Sequence, residues 1–385
     1  MSKLYNYPFK LFKLKLKKIF GWQEKPVIQA FRGIGNDSSI SLKGRIIENS
    51  GLSSPKEDNS KWKNFLAMIK RYLSDGLPGL PVEAKYGKKK KVVCSDQNGF
   101  FEVNFKNENG GGQNRSNWGE IELNLLDTLD EQSPESKVKG EYLVINNKLQ
   151  YGIISDVDDT FLISYSTRFL KKLRLLLFKN AYTRLPFKGV AAFYRALRRG
   201  RDGKQRNPIF YVSSSEWNLY DLLVDFCHFN NIPKGPFMLR NISQNPLKIW
   251  KSGRGNHNHK FDKIIRLLEL YPDLKFILIG DTGQKDAEIY GRIAMEYPEQ
   301  ILGIYLRQVN KGRNNVMISK IKKTIAAKGV EMVLVSDSDD AAKHAVEKGW
   351  IHENAIPAIY LEKEKDKQTP TDVQQLFGEY PFSQN

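Results

Sequence analysis

The part of the chain from Leu149 onward alternates between strand-like and helix-like patterns, and this alternation constrains the fold most strongly. Residues 207–215 (NPIFYVSSS) and 274–286 (LKFILIGDTGQKD) each begin with a short apolar run of strand formers. Residues 216–230 and 259–272 instead repeat apolar residues at helical spacing, and the same alternation continues after them. Because strand–helix–strand units build parallel sheets, we predict an α/β fold with a doubly wound parallel sheet.

The preceding region has a different sequence pattern. From about Val27 to Leu126 it shows strand-like alternation interrupted by Gly, Asn and Ser, as in SISLKGRIIEN and NGFFEVNF. We predict an all-β module of the sandwich type. Asn98-Gly99 is expected to form a tight hairpin turn, since Gly99 can supply a positive φ. Residues 60–76 place apolar side chains at helical spacing, so one helix is expected beside the strands.

These sequence patterns divide the chain into four parts. We predict a basic amphipathic N-terminal arm over 1–26, a β-sandwich-like domain over 27–136, an α/β domain over 137–365 with a helical insert at 161–206, and a polar tail over 366–385. The charged sequence EKEKDKQTPTDVQQLF, where the last two parts meet, predicts loose order.

The composition describes a globular protein with few cysteines. The chain has 385 residues, of which 40% are hydrophobic and 27% charged, so at least one sizeable core is expected. Cys94 and Cys227 lie far apart without metal-ligand spacing, which fits a reducing compartment. No apolar run approaches the roughly 20 residues that a membrane-spanning helix needs. We therefore expect a cytoplasmic protein.

The formal net charge of +18 implies an anionic partner. Residues 7–22 (YPFKLFKLKLKKIFGW) and 166–180 (STRFLKKLRLLLFKN) interleave basic with apolar residues, as in helices that lie on membranes. The first is equally compatible with a solvated or strand-paired arm, and the second with a helix packed on the core. Residues 195–208 are interpreted as a solvated helix end and loop. We expect an anionic phospholipid membrane as partner, which would place the protein at a membrane periphery, and not nucleic acid, because the basic segments lack aromatics arranged for base stacking.

Polar residues follow three of the predicted strands. Asp156, Asp158 and Asp159 come directly after the first strand, Ser213 after the second and Asp281 after the third. The carboxyl ends of parallel strands meet at one edge of a sheet, which is where such folds bind ligands. We expect these side chains to converge there. For Asp158 or Asp159 alone, capping of a following helix is the alternative.

The converging carboxylates predict a metal and a phosphate. Asp156, Asp158 and Asp281 would repel one another unless a divalent cation neutralised them, and an all-oxygen ligand set favours Mg²⁺. One carboxylate can then attack phosphorus. Lys260, at the start of the helix before the third strand, supplies positive charge to a phosphate, and Ser213 supplies a hydroxyl donor. By contrast, the similar sequence SDSDD (336–340) lacks the threonine and begins a helix, so Asp337 or Ser338 is expected to cap it.

The order of these motifs resembles the haloacid dehalogenase superfamily of phosphotransferases. The chain has D-x-D-x-T at 156–160, a hydroxyl at Ser213, a lysine at Lys260 and G-D-x-x-x-x-D at 280–286, each in the expected strand context. The resemblance implies a haloacid-dehalogenase-like phosphatase domain with a Mg²⁺ cofactor.

The resemblance also implies a role for each residue. Asp156 would be the nucleophile that forms an aspartyl phosphate, and Asp158 the general acid and then base. Thr160 would hold the loop, Ser213 would bind phosphoryl oxygens and Lys260 would balance charge. The implied metal ligands are Asp156, the backbone carbonyl of Asp158, Asp281 and Asp286, the last two directly or through water.

A narrower resemblance is to the catalytic-domain family of actin-patch-type phosphatidate phosphatases. It rests on GIISDVDDT, FYVSSSEW, HKFDKIIRLLELYPDLKFILIGDTGQKDAEIY and FRGIG…SLKGRII, and runs from about Ile28 to Glu362. The family implies Mg²⁺-dependent conversion of phosphatidate to diacylglycerol. Ser214 and Glu216 stand where relatives often carry Asn and Pro, which leaves open whether Ser213 or Ser215 binds phosphate.

Two further functions compete with this expectation. One is a phosphatase of a soluble or nucleic-acid phosphomonoester. The other is a membrane adaptor with a vestigial site, whose β module is the binding surface. The intact set of charged site residues speaks against the adaptor, because a scaffold has no reason to retain mutually repelling carboxylates; the set is Asp156, Asp158, Lys260, Asp281 and Asp286.

Overall fold

A computed structural model describes most of the two predicted domains. The described residues are 26–48, 76–107, 117–126, 137–145, 149–157, 189–240, 258–282, 285–308 and 315–368. They fall into two compact units: one ends at Asn146 and also contains Glu216–Leu223, and the other contains Asn147–Ser215 and Val224–Asn385. The predicted basic segments 7–22 and 166–180 lie outside the described residues, as does the predicted helix at 60–76 except for Gly76. No described helix has the length and apolarity needed to cross a bilayer.

The first unit is built on an eight-stranded mixed sheet. Its strands are β1 (Pro26–Ala30), β2 (Gly33–Gly35), β3 (Ser39–Glu48), β4 (Pro81–Tyr86), β5 (Lys89–Cys94), β6 (Phe100–Lys106), β7 (Asn117–Leu125) and β8 (Lys137–Val144). Alternation decides which side chains enter its core: in β6, Phe101, Val103 and Phe105 are buried, while their neighbours are not. The described residues of the predicted β module therefore form strands of one sheet.

The hydrogen bonding of this sheet differs from the predicted sandwich. The strand order is β1-β3-β2-β8-β7-β4-β5, and β6 pairs with β3. The short strand β2 pairs antiparallel with β3 and parallel with β8, so it joins the strands into one sheet where a sandwich has two. Residues 137–144, which we assigned to the α/β domain, form β8 of this sheet.

The turn at Asn98-Gly99 has the predicted backbone but a different context. Gly99 has a φ of 82°. However, β5 pairs with β4 and β6 pairs with β3, so this turn connects strands that are not hairpin partners. The carbonyl of Gly99 accepts from Ile46 N–H at 2.7 Å, which ties the turn to β3. This long-range contact is what local turn chemistry does not encode.

The second unit confirms the predicted parallel sheet. Its strands are β9 (Gly152–Asp156), β10 (Ile209–Glu216), β11 (Phe237–Arg240), β12 (Phe276–Asp281), β13 (Ile301–Arg307) and β14 (Glu331–Val335), in the order β11-β10-β9-β12-β13-β14. Every residue of β9 is buried, as expected when helices cover both faces of a parallel sheet.

Seven described helices surround this sheet or connect its strands. They are α1 (Val190–Arg199), α2 (Tyr220–Phe229), α3 (Asn258–Leu270), α4 (Asp286–Glu296), α5 (Asn315–Ala326), α6 (Ser338–Glu347) and α7 (Ile356–Gln368). Six of them pack in two groups, α1 with α6 and α7, and α3 with α4 and α5. Short 3₁₀ turns at 217–219, 298–300 and 353–355 complete the described helical structure.

Two predicted element boundaries were wrong. The predicted helix at 216–230 begins only at Tyr220, because β10 continues to Glu216 and a 3₁₀ turn follows. Within the first unit, Trp217 stacks on Phe31 with ring centroids 4.4 Å apart, and Tyr220 Oη accepts from Arg32 N–H at 2.9 Å. These contacts fix the segment 216–223.

The beginning of the predicted loose region is helical, since α7 extends to Gln368. Tertiary contacts explain this. Glu362 pairs with Arg195 and accepts from Ala192 N–H at 2.9 Å, while Lys363 pairs with Asp337 and Asp339 at 2.5 Å each. These ion pairs join α7 to α1 and to the start of α6, so tertiary contacts stabilise the helix where the sequence pattern predicted loose order.

Candidate active site

The strand order places a topological switch point between β9 and β12. The chain runs from β9 outward to β10 and β11, then crosses to β12 and continues to β13 and β14. In open α/β sheets, ligands bind in the crevice at the carboxyl ends of the two strands where the order reverses. Asp156 ends β9 and Asp281 ends β12. Two of the predicted site residues therefore flank this crevice.

Ser213 lies on β10, which flanks β9 on the side opposite to β12. Val212 pairs with Asp156 in the β10–β9 register, and Val157 N–H donates to the Val212 carbonyl at 3.1 Å. Parallel pairing thus continues to the end of β9 and holds Ser213 at the same edge. Ser213 is fully buried.

Lys260 joins two of the predicted carboxylates. Its Nζ lies 2.8 Å from Asp156 Oδ1 and 2.7 Å from Asp286 Oδ1. The three side chains are at most 4% exposed. Burying a charge is costly unless it is paired, and one ammonium between two carboxylates leaves the group with a net negative charge. The site can therefore accept further positive charge beside Asp156.

Asp286 also holds the end of β12. Its Oδ2 accepts from Asp281 N–H at 3.1 Å, and it is the first residue of α4, where a carboxylate is favourable for the helix dipole. Gly280 leaves room for this contact, since a Cβ there would lie 2.5 Å from Asp286 Oδ2. Asp286 therefore orients the Asp281 backbone as well as Lys260.

The serine segment, residues 213–215, lies inside β10 and not after it as predicted, because this strand continues to Glu216. Ser213 Oγ accepts from Ser215 N–H at 3.0 Å, and the Ser213 carbonyl accepts from Lys263 Nζ at 2.7 Å. Because its oxygen accepts from Ser215, the Ser213 hydroxyl can direct its own proton elsewhere. Ser214 is exposed, and Ser215 is buried.

A buried hydrogen bond from the neighbouring serine holds the Asp156 backbone. Ser155 Oγ donates to the Asp156 carbonyl at 3.1 Å and lies 2.5 Å from Tyr194 Oη of α1. Burial, opposed by the Ser155 hydrogen bond, raises the pKa of the Tyr194 phenol above its usual range. Tyr194 therefore remains a neutral hydrogen-bonding group.

Three residues of this arrangement were not predicted from the sequence. Ser155 and Tyr194 carried no signal, because their contact joins positions far apart in the chain. Lys263 carried one: it follows Lys260 by one helical turn, so the two lysines share a face of α3.

The described donor atoms fit a hard cation. Asp156 and Asp281 offer carboxylate oxygens at neighbouring strand ends, which is the ligand chemistry that Mg²⁺ prefers. Within the described ranges, no three His, Cys, Asp or Glu side chains are grouped around a metal position. Asp158, the implied source of a further oxygen, lies outside those ranges, as does Thr160.

The similar sequence at 336–340 behaves as predicted. Asp337 caps α6 by accepting from Asp339 N–H at 3.1 Å and from Asp340 N–H at 3.4 Å. This local role explains an acidic sequence that otherwise imitates the first motif.

Part of the chain is similar to a known protein family. Residues 151–308 match the family described as "Phosphatidate phosphatase APP1, catalytic domain". The match covers less than half of the chain and shows what residues 151–308 are similar to. The predicted resemblance to phosphatidate phosphatase-like hydrolases is thereby confirmed, over a shorter range than the predicted one. The matched segment contains all seven predicted site residues.

Two fungal proteins are similar over part of their length. The chain is 32% identical over 165 residues to phosphatidate phosphatase APP1 of Saccharomyces cerevisiae, a match that covers 43% of this chain and 27% of that protein. It is 28% identical over 199 residues to an uncharacterized protein of Schizosaccharomyces pombe, covering 51% and 31%. The chain thus spans about a third or less of each relative.

Solved structures are only distantly similar. A carbohydrate acetylesterase from Xanthomonas citri aligns over 80% of this chain and 68% of its own, with 11% identity and a TM-score of 0.28. That value is too low to indicate a shared fold.

Proposed function

We propose that this protein is a Mg²⁺-dependent phosphatase that converts phosphatidate to diacylglycerol at a membrane surface through an aspartyl phosphate. The observation that carries the proposal is the ion pairing of Asp156 with Lys260 at the switch point of the sheet. A buried carboxylate at a ligand-binding edge, paired with a lysine, suits a nucleophile. The similarity to the S. cerevisiae enzyme supports phosphatidate as the substrate.

In the first step, an Asp156 carboxylate oxygen attacks the phosphorus of the monoester. The bond between phosphorus and the leaving oxygen breaks, and Asp158 donates a proton to that oxygen to release diacylglycerol. In the second step, Asp158 takes a proton from water, whose oxygen attacks the same phosphorus. Inorganic phosphate leaves, and the Asp156 carboxylate is regenerated.

The remaining residues orient the phosphoryl group and balance its charge. The Ser213 hydroxyl donates to a phosphoryl oxygen, and Lys260 offsets the negative charge near Asp156. Mg²⁺ would be held by Asp156, Asp281 and the Asp158 carbonyl, and would neutralise charge on the phosphoryl oxygens. Both oxygens of Asp286 have protein partners, so we place Asp286 beyond the direct ligands, with contact through water.

The proposal is tested by phosphate release from a panel of vesicle-embedded phosphatidate and soluble phosphomonoesters. Asp156→Asn keeps the side-chain shape but cannot attack phosphorus, so turnover should fall on the order of a thousandfold or more with an unchanged melting temperature. Asp262→Asn is the matched control, because Asp262 is exposed on α3. Chelation should abolish activity and added Mg²⁺ should restore it.

Three results would overturn the proposal in different parts. Undiminished turnover by folded Asp156→Asn would remove the nucleophile, and full activity in chelator would remove the metal. Turnover of soluble esters alone would replace the lipid substrate with a soluble one.

A further inference from the structure

Lys263 contacts the serine segment of β10 that the proposed mechanism uses. Its Nζ donates to the Ser213 carbonyl at 2.7 Å, and its side chain is half-buried. Lys260, one helical turn earlier, contacts Asp156. One face of α3 therefore contacts two adjacent strands, the last residue of β9 through Lys260 and the carboxyl-terminal half of β10 through Lys263.

The carbonyl that Lys263 holds belongs to the peptide group whose N–H is that of Ser214. A donor on the carbonyl oxygen polarises the peptide and strengthens its N–H as a donor, and a charged donor does so more than a neutral one. The ammonium also fixes the rotation of this peptide plane. Within the same segment of β10, Ser213 Oγ accepts from Ser215 N–H. The hydroxyl and the following peptide are thus both held in place before a ligand binds.

We propose that Lys263 is a positioning residue for phosphoryl binding, acting through the Ser213–Ser214 peptide without touching the substrate. This inference rests on the proposed phosphatase function and deepens it. The ligand chemistry is a phosphoryl group, and inorganic phosphate is its simplest form. Lys263 sets the orientation of the Ser213–Ser214 peptide and the donor strength of its N–H, whereas Lys260 balances the charge of Asp156.

The test compares Lys263→Met, Lys263→Arg and the control Lys275→Met in the full chain. Methionine retains the apolar stem but removes the donor, whereas arginine restores a charged donor. Lys275 is exposed just before β12. For each protein we would measure kcat and KM for a soluble phosphomonoester, Kd for inorganic phosphate by calorimetry, and the melting temperature.

Lys263→Met should weaken inorganic phosphate binding about tenfold and lower kcat/KM by a similar factor, because both depend on the same oriented donors. Lys263→Arg should recover most of this loss, and Lys275→Met should match the wild type. The amide resonance of Ser214 should shift in Lys263→Met even without phosphate.

Wild-type phosphate affinity and kcat/KM in folded Lys263→Met would overturn the inference while leaving the phosphatase proposal intact. Equal losses in the methionine and arginine variants, together with a lower melting temperature, would also overturn it in favour of a purely structural contact. If the wild type hydrolyses no phosphomonoester, the phosphatase proposal fails. The calorimetric comparison still decides whether Lys263 supports phosphate binding. Should Lys263→Met not fold, Lys263→Gln provides the neutral variant for the same measurements.

Discussion

At the scale of single residues, the lysine between two buried carboxylates has the largest electrostatic consequence. Removing one partner of a buried ion pair leaves an uncompensated charge and typically costs about 3–5 kcal/mol. We expect Lys260→Met to lose stability of this order, because Asp156 and Asp286 would lose the ammonium group that lies between them. Urea unfolding measures the loss, and phosphate release should be abolished in the fraction that remains folded.

A double variant separates the two roles of Lys260. Lys260→Met with Asp286→Asn removes one of the opposed charges, so it should recover part of the stability without recovering turnover. Asp262→Asn on the same helix serves as the control, because its side chain is exposed. Turnover in the stabilised double variant would show that the positive charge of Lys260 is dispensable for chemistry.

Motif spacing identified the titratable residues of this site but not its supporting contacts. Asp156, Lys260 and Asp281 were placed at strand and helix ends by local pattern alone, and the fold brings those ends to one edge. Tyr194 and Ser155 meet across 39 positions of the chain, so no local pattern could predict their contact. Their roles depend on the packing of α1 beneath β9, which forms only in the folded unit.

At the scale of elements, the junction between β12 and α4 depends on a residue without a side chain. A Cβ at Gly280 would lie 2.5 Å from Asp286 Oδ2 and 2.9 Å from Tyr290 Cε2. We expect Gly280→Ala to cost about 1–3 kcal/mol, since overpacking displaces well-fitted neighbours. Because Asp286 must move away from Asp281 N–H and Lys260, kcat should also fall by about tenfold or more. Thermal unfolding and steady-state kinetics measure the two effects.

Gly291→Ala is the matched control for this prediction. Its Cβ would lie 2.4 Å from Ile321 Cγ2, at the contact between α4 and α5. It should lose comparable stability while the folded protein keeps its kcat. An equal loss of kcat in both variants would mean that stability alone, and not the position of Asp286, accounts for the effect.

Periodicity predicted which elements form better than it predicted their partners. Most strands and helices from β9 to α6 were expected in the observed order, because each carries its own apolar pattern, but β11 and α5 were not predicted. The assignment of β8 to the other sheet follows from its pairing with β2 and β7, which no single strand encodes. Likewise, α7 extends through a polar sequence because Glu362 and Lys363 find partners on other elements.

At the scale of the whole molecule, the net charge of +18 is the property that most directly concerns a membrane partner. Each Lys or Arg near an anionic surface contributes about 1 kcal/mol to binding, and salt screens that attraction. We predict that two groups of basic residues provide most of it. They are Lys10, Lys13, Lys15, Lys17 and Lys18 in the first segment, and Lys171, Lys172 and Arg174 in the second.

Replacing both groups with glutamine should abolish sedimentation with vesicles that contain anionic lipid, and should slow turnover of vesicle-embedded phosphatidate. A small soluble phosphomonoester should be hydrolysed at nearly the wild-type rate, because Asp156 and Lys260 are unchanged. Wild-type binding should itself weaken between about 0.1 and 1 M salt, where the screening length falls from roughly 10 to 3 Å.

Exposed basic residues at the end of α1 and in the loop that follows it provide the charge control. Arg201 N–H donates to Gln150 Oε1 at 3.3 Å, which holds this loop beside the start of β9, at the opposite end of that strand from Asp156. Glutamine at Arg199, Arg201 and Lys204 should therefore reduce vesicle binding much less per charge removed. An equal loss per charge would indicate that net charge alone attracts the membrane, without a preferred surface. Equal losses on lipid and soluble substrates in the first variant would instead assign its basic segments a structural role.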